Sequence, residues 1–151
     1  VIWSEENQLT ADFIEVHTKN RQVNKIEMVN TAFIISREAP TIFNQIKGRN
    51  MTGYVENNKL AQIEVNGNSQ TIYYGKEDEE LIGVNKAISS NLKLIFQDSK
   101  IERILYLTSP EGTYYPVDNF PESESRLENF VWLEEYRPLS KYDVYLWKRN
   151  P

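Results

Sequence analysis

The sequence predicts an all-β protein, and three observations support this prediction. Val, Ile, Thr, Tyr, Phe and Trp supply 50 of the 151 residues, and such side chains fit a pleated, half-buried sheet. Asn, which favours turns, occurs 15 times, whereas Ala occurs only 5 times. The third observation is an internal repeat in which apolar and polar residues alternate, as they do along strands.

The repeat consists of three 15-residue segments that align without a gap, at offsets of 37 and then 41 residues. They begin at Ile14, Met51 and Leu92 and read IEVHTKNRQVNKIEM, MTGYVENNKLAQIEV and LKLIFQDSKIERILY. Each predicts an alternating strand, a polar turn (19–21, 57–59 or 98–100) and a returning strand. The three-residue step from Val23 to Ile26 predicts a bulge in the returning strand. We expect about four short strands per repeat, a spacing typical of a sandwich or barrel.

Breaks in the alternation define the other elements. We predict that Gly67, which follows an alternating strand, occupies a bulge or tight turn awkward for other residues. The acidic run at 76–80 is interpreted as a solvated hairpin tip rather than a calcium site, because no regular ligand spacing occurs. Residues 1–118 are assigned to the repeats. Residues 119–151 are assigned to an irregular C-terminal extension with a short helix near 120–127 and a last strand at 142–147.

Composition excludes several classes of function. Seventeen Lys and Arg against 22 Asp and Glu give a net charge of −5, which argues against a nucleic-acid partner. Without cysteine there is no disulfide, thiol catalysis or cysteine metal site, and a single histidine excludes a multi-histidine site. The sequence contains no run of 18 apolar residues, so it predicts no membrane-spanning helix. The residues from Val1 onward show no signal-peptide pattern.

Motifs for catalysis are not found. His17 is the only candidate base for a nucleophilic triad, and its place at a strand end favours a structural or surface role. The six glycines form no phosphate-binding loop. We therefore predict a non-enzymatic protein with no catalytic residue, cofactor or metal. A weaker alternative, an enzyme that uses a carboxylate pair on cell-envelope sugar, stays open because 22 acids make many pairs.

The second repeat and its surroundings resemble the OstA-like, or LptA-like, family of lipopolysaccharide-transport proteins. The similar stretches are IKGRNMTGY (46–54) and LAQIEVNGNSQTIYY (60–74). LIGVNKA (81–87) and PEGTYYP (110–116) are similar to the version found in Bacteroides-type bacteria. The similarity covers about residues 9–147. The first repeat departs from it by placing Asn30 where the second has Gly67.

This resemblance implies an open, twisted β-jellyroll in the periplasm. It implies that the inner face holds the acyl chains of lipopolysaccharide (lipid A), and that such domains join end to end with one another or with other Lpt-type jellyrolls. Alternation then selects the inward, lipid-binding side chains: Ile14, Val16, Ile26, Met28, Met51, Val55, Ile63, Val65, Leu92, Leu94, Phe96, Ile104 and Tyr106. The same residues would also fill a closed core.

A different class of function competes with the lipid conduit. A β-sandwich or solenoid could bind protein or glycan on an aromatic face. The candidate aromatic residues for such a face are Tyr73, Tyr74, Tyr114, Tyr115 and Trp132. An exposed aromatic row favours a glycan binder, whereas aliphatic side chains in a groove favour a lipid conduit.

Overall fold

The computed structural model describes residues 1–140 and Tyr142, and its strands form a single antiparallel sheet. The strands are β1 (Ile2–Ser4), β2 (Asn7–Thr10), β3 (Phe13–Lys19), β4 (Gln22–Ala39), β5 (Ile42–Glu56), β6 (Lys59–Glu77), β7 (Glu80–Gln97), β8 (Lys100–Tyr106) and β9 (Glu111–Pro116). The described part of the chain contains no α-helix. The sheet is open and does not close into a barrel, so the predicted all-β, open fold is confirmed.

The central strands are longer than the repeat predicted. β4 to β7 contain 15 to 19 residues each, where short strands separated by breaks were expected. The reason is that a bulge, rather than a loop, absorbs each break, so the ladder resumes on the other side. In β6, for example, pairing with β7 is interrupted between Asn66 and Ser69 and then continues to Glu77.

Four hairpins share one construction. Each has a two-residue turn in which both residues have φ between 49° and 66°, the type I′ geometry that matches strand twist. These turns are Asn20-Arg21, Asn57-Asn58, Asp78-Glu79 and Asp98-Ser99. One unpaired residue then follows in each returning strand. The predicted turns of the three repeats and the predicted bulge between Val23 and Ile26 are confirmed, and the second and third repeats carry the same bulge. The acidic run is the tip of the fourth hairpin.

A crease crosses the sheet where the strand pairing is interrupted. It passes through Asn30-Thr31 of β4, Gly48-Arg49 of β5, Gly67-Asn68 of β6 and Ser90 of β7. Gly67 has a φ of +86°, which confirms its predicted bulge conformation. The side-chain oxygens of Asn50 and Asn91 accept hydrogen bonds from the backbone N–H groups of Asn30 and Gly67, respectively.

The crease divides the sheet into two half-sheets that face each other. The first half-sheet comprises β3, residues 22–29, 50–56, 59–66 and 91–97 of the long strands, and β8. The second comprises β1, β2, residues 32–39, 42–47, 69–77 and 80–89, and β9. The Thr71 and Tyr106 hydroxyls lie 2.8 Å apart although β6 and β8 are not paired, so this contact crosses between the half-sheets. A buried apolar cluster between them takes side chains from both, including Ile34 and Ile63.

The C-terminal extension covers the outer face of the second half-sheet. A 3₁₀ turn at Val117–Asn119 leads into it, and further 3₁₀ turns lie at Glu122–Glu124 and Glu134–Tyr136. The turn at Glu122–Glu124 stands where a short helix was expected. Phe43, Ile72 and Tyr74 of the sheet form a second buried cluster with Leu127 of the extension. The last strand predicted at 142–147 lies, apart from Tyr142, outside the described residues.

Candidate functional site

The inward face of the first half-sheet carries all thirteen residues that the sequence predicted to bind lipid. Strand register aligns most of them into two rows that each cross six strands. The first row is Ile14, Met28, Met51, Val65, Leu92 and Tyr106, and the second is Val16, Ile26, Gly53, Ile63, Leu94 and Ile104. Val55 and Phe96 lie beside them, opposite Leu60 and Ile101. The type I′ turns and their bulges set this register, because each hairpin restores the same alternation.

Exposure differs between the middle and the ends of these rows. In the middle, Met51, Ile63 and Leu94 are at most 1% exposed, because Leu9, Ile34 and Ile46 of the second half-sheet pack in the same cluster. At the β3 end, Val16 is 45% exposed. At the β8 end, Ile104 is partly exposed. The interior is thus a packed core whose apolar rows reach solvent at both edge strands.

Polar contacts join the half-sheets near β8. The Tyr73 hydroxyl donates to the Ile101 carbonyl, and the Asn7 side-chain amide donates to the Ser99 carbonyl. Burial raises the pKa of the Tyr106 phenol, an effect that its hydrogen bond with Thr71 partly offsets. The pKa of Tyr73 is also raised, chiefly by burial and then by the nearby Glu38 carboxylate. Both hydroxyls therefore remain neutral hydrogen-bonding groups at physiological pH.

A polar cleft of about 450 Å³ opens among the strand ends and hairpin turns farthest from the crease. Its lining includes Glu38, Lys76, Asp98 and the buried side chain of Asn44. The Lys76 ammonium lies 2.6 Å from a Glu38 oxygen, and this hydrogen bond raises the lysine pKa. Asn44 donates to the other Glu38 oxygen at 2.9 Å. These contacts fix the Glu38 carboxylate as a member of a structural ion pair.

The aromatic residues proposed for a glycan-binding row lie in different places. Tyr74 is 6% exposed and belongs to the second buried cluster, against which Tyr115 and Trp132 are partly buried. Tyr73 makes its hydrogen bond across the half-sheets. Tyr114 is 63% exposed. The five residues are therefore not brought together on one exposed face.

A cluster around His17 was missed by the sequence analysis. His17 and Glu15 share the outward face of β3, and Glu27 of β4 is directly opposite Glu15. Hydrogen bonds from Lys25 and then from His17 lower the pKa of the Glu27 carboxyl. Alternation alone places Glu15 and His17 on one face. The signal that would have added Glu27 is the register set by the Asn20-Arg21 turn and its bulge.

No family model, curated protein or solved structure matches this chain. In the part of the chain that the structure describes, no helix is long and apolar enough to cross a membrane.

Proposed function

We propose that this chain is a non-enzymatic lipid-conduit domain that holds the acyl chains of lipopolysaccharide in the periplasm. The observation that carries the proposal is the pair of apolar rows, which run across six strands and stay partly exposed at both edge strands, as at Val16 and Ile104. Such a surface offers acyl chains a continuous apolar path, and burial contributes about 0.8 kcal/mol per CH₂ group.

Entry of lipid begins at the partly exposed ends of the rows. Met51 and Leu94 are already buried, so an acyl chain in the middle takes the place of their contacts with the second half-sheet. The crease is the natural hinge for this exchange, because the ladder is interrupted there in each long strand. The two half-sheets can then separate without loss of pairing within either one.

Free strand edges support end-to-end assembly. Among residues 1–140, β3 and β8 each pair with one strand in the first half-sheet, and β1 and β9 each pair with one in the second. Each end of the folded sheet therefore presents backbone N–H and C=O groups that another strand can pair with. A head-to-tail contact of this kind continues the apolar rows from one domain into the next.

A matched pair of variants on β8 tests the proposal. Ile104 is inward and partly exposed, and Leu105 is outward and 37% exposed, so both positions reach solvent. The full chain, with a bound fluorescent acyl probe, is titrated with lipopolysaccharide. We expect Ile104→Glu to abolish binding of both the acyl probe and lipopolysaccharide, because an ion in the apolar row loses hydration without a partner. Leu105→Glu should bind as the unmodified chain does.

Two outcomes contradict the proposal: absence of lipopolysaccharide binding by the folded chain, and equal loss in both variants. Thermal unfolding of each variant, followed by circular dichroism, establishes that it is folded.

A second candidate is a protein-interaction module that uses the outward face of the first half-sheet. The observation in its favour is that this face exposes apolar side chains, with Phe13 58%, Val29 40% and Leu105 37% exposed. Register places Phe13 directly opposite Val29, so these two side chains form a continuous patch near the crease. In this case Phe13→Glu, in the exposed patch, and not Ile104→Glu is expected to reduce binding of the partner.

A further inference from the structure

Three metal-ligating side chains converge on the outward face of the first half-sheet, away from the inward apolar rows. The Nε2 atom of His17 lies 3.1 Å from an oxygen of Glu15 and 3.2 Å from an oxygen of Glu27. One donor atom from each residue can be chosen so that all three lie within 4.8 Å of one another. We propose that Glu15, His17 and Glu27 form a binding site for one divalent transition-metal ion of the zinc type.

The distances suit a tetrahedral ion. Zinc binds histidine nitrogen and carboxylate oxygen at about 2.0–2.2 Å, which separates neighbouring ligand atoms in a tetrahedron by about 3.3–3.6 Å. The two distances from the His17 nitrogen are a few tenths of an ångström below this range. The third separation, between the Glu15 and Glu27 oxygens, is at most 4.8 Å, so rotation of the glutamate side chains has to bring these oxygens to the tetrahedral spacing.

Backbone geometry fixes the three ligands relative to one another. Glu15 and His17 are two residues apart on β3 and project from the same face, and Glu27 faces Glu15 across the ladder. Two carboxylates directly opposite each other on paired strands repel. A cation between them removes that repulsion.

Lys25 does not take the place of the ion. Its ammonium contacts Oε1 of Glu27 at 3.1 Å, whereas Oε2 is the oxygen that faces His17. The lysine thus orients the carboxylate from outside, and the second oxygen keeps its place beside His17, where a metal would replace the hydrogen bond between the two side chains. An outer partner of this kind commonly holds a metal ligand in position.

The donor set selects the class of metal. One imidazole with two carboxylates suits zinc, nickel and copper, whereas calcium and magnesium prefer all-oxygen sites. The three side chains are 34–53% exposed, so solvent reaches the site. Three protein ligands leave the fourth tetrahedral position for water or for a group from another molecule.

Isothermal titration of the full chain with zinc chloride near neutral pH tests the proposal, with calcium chloride as the comparison. Because His17 is the only histidine, its ring protons report site occupancy by NMR without ambiguity. We expect one zinc ion per chain, a shift of the His17 resonances, and much weaker binding of calcium. His17→Gln and Glu27→Gln should each weaken zinc binding by at least about tenfold.

Glu64→Gln is the matched control. Glu64 lies on the same face and in the same cross-strand row as Glu27, separated from it by Thr52. This variant should bind zinc as the unmodified chain does. The proposal is overturned by absence of zinc binding, by binding that His17→Gln leaves unchanged, by an equal loss in Glu64→Gln, or by calcium binding as tight as that of zinc.

Discussion

The side-chain oxygen of Gln45 accepts a hydrogen bond of 2.8 Å from the backbone N–H of Leu127, 82 residues later in the chain. The same side chain donates to the Ser125 carbonyl at 2.8 Å, so one fully buried amide satisfies two backbone groups of the extension. Gln8 makes the equivalent pair of bonds to the Val131 carbonyl and the Leu133 N–H. Two buried glutamines therefore hold the extension by its backbone.

Replacement of Gln45 by methionine should destabilise the protein by about 1–3 kcal/mol. Methionine has a similar volume but leaves the Leu127 N–H and the Ser125 carbonyl without their partner, and a buried unsatisfied group costs about that much. Chemical denaturation measures the free energy of unfolding. The control is Gln97→Met at an exposed strand end, where about 0.5 kcal/mol or less is expected. Equal effects at the two positions would show that the hydrogen bonds to the extension contribute nothing.

Glycine should have opposite effects at two adjacent glutamates. Glu79 has a φ of 66° in a type I′ turn, a conformation that costs a side-chain-bearing residue about 1–2 kcal/mol. Glycine removes this cost but loses more backbone entropy on folding, which costs about 0.5–1 kcal/mol. Glu79→Gly should therefore stabilise the folded protein by about 0.5–1 kcal/mol. Glu80→Gly, in the first position of β7, should destabilise by a similar amount. Thermal melts of both variants test the turn type, which a destabilising Glu79→Gly would contradict.

Alanine should be costly at Gly67 and harmless at Gly75. An alanine in place of Gly67 would have to adopt a φ of +86°, and its Cβ atom would lie only 3.1 Å from the Arg49 Cβ. Gly75 has no positive φ, and its nearest neighbour to a new Cβ is 3.9 Å away. We expect Gly67→Ala to lower the free energy of unfolding by about 1–2 kcal/mol. Gly75→Ala should leave it unchanged or raise it. A neutral Gly67→Ala would mean that the crease does not need its left-handed bulge.

Acid should weaken the attachment of the extension. Hydrogen bonds with Arg137 and Arg37 lower the pKa values of the Glu6 and Glu134 carboxyls, respectively. A lowered folded-state pKa means that the unfolded chain binds the proton first as pH falls. The stabilisation is therefore complete above the ordinary glutamate pKa of about 4.3 and is lost as pH falls through the folded-state values.

The variant Glu6→Gln/Glu134→Gln should be less stable near neutral pH and should lose less stability on acidification. Free energies of unfolding measured across this acid range give the comparison. A pH dependence identical to that of the unmodified chain would exclude these two pairs as its source. Because both carboxylates are substantially exposed, added salt should reduce the difference.

Local sequence signals predicted the hairpins well because turn chemistry is encoded within a few residues. Asn57-Asn58 and Asp98-Ser99 tolerate the left-handed conformation, and the apolar step from Val23 to Ile26 placed the bulge of the first repeat correctly. The inward residues followed from alternation alone. The length of the strands could not be predicted from alternation, because a bulge at Gly67 and a loop at Gly67 interrupt the pattern of apolar residues in the same way.

Contacts between distant segments could not be predicted from the sequence. Gln8 bonds to residues more than 120 positions away, and nothing around Gln8 indicates this partner. The same holds for the packing of Ile34 and Ile46 onto the inward rows. The His17 cluster is an intermediate case, because the predicted turn and bulge together imply the register that places Glu27 opposite Glu15, but the sequence analysis did not derive that pairing.

Photo-crosslinking to lipopolysaccharide tests the central claim most directly. A photoreactive residue is placed at inward positions (Val16, Met51, Leu94 and Ile104) and at outward ones (Thr52 and Lys93), each in the folded full chain. If the chain is a lipid conduit, the inward positions should capture lipopolysaccharide, most strongly at the partly exposed Val16 and Ile104, and the outward positions should capture none. Equal capture from both faces, or no capture from any inward position in a folded protein, would contradict it.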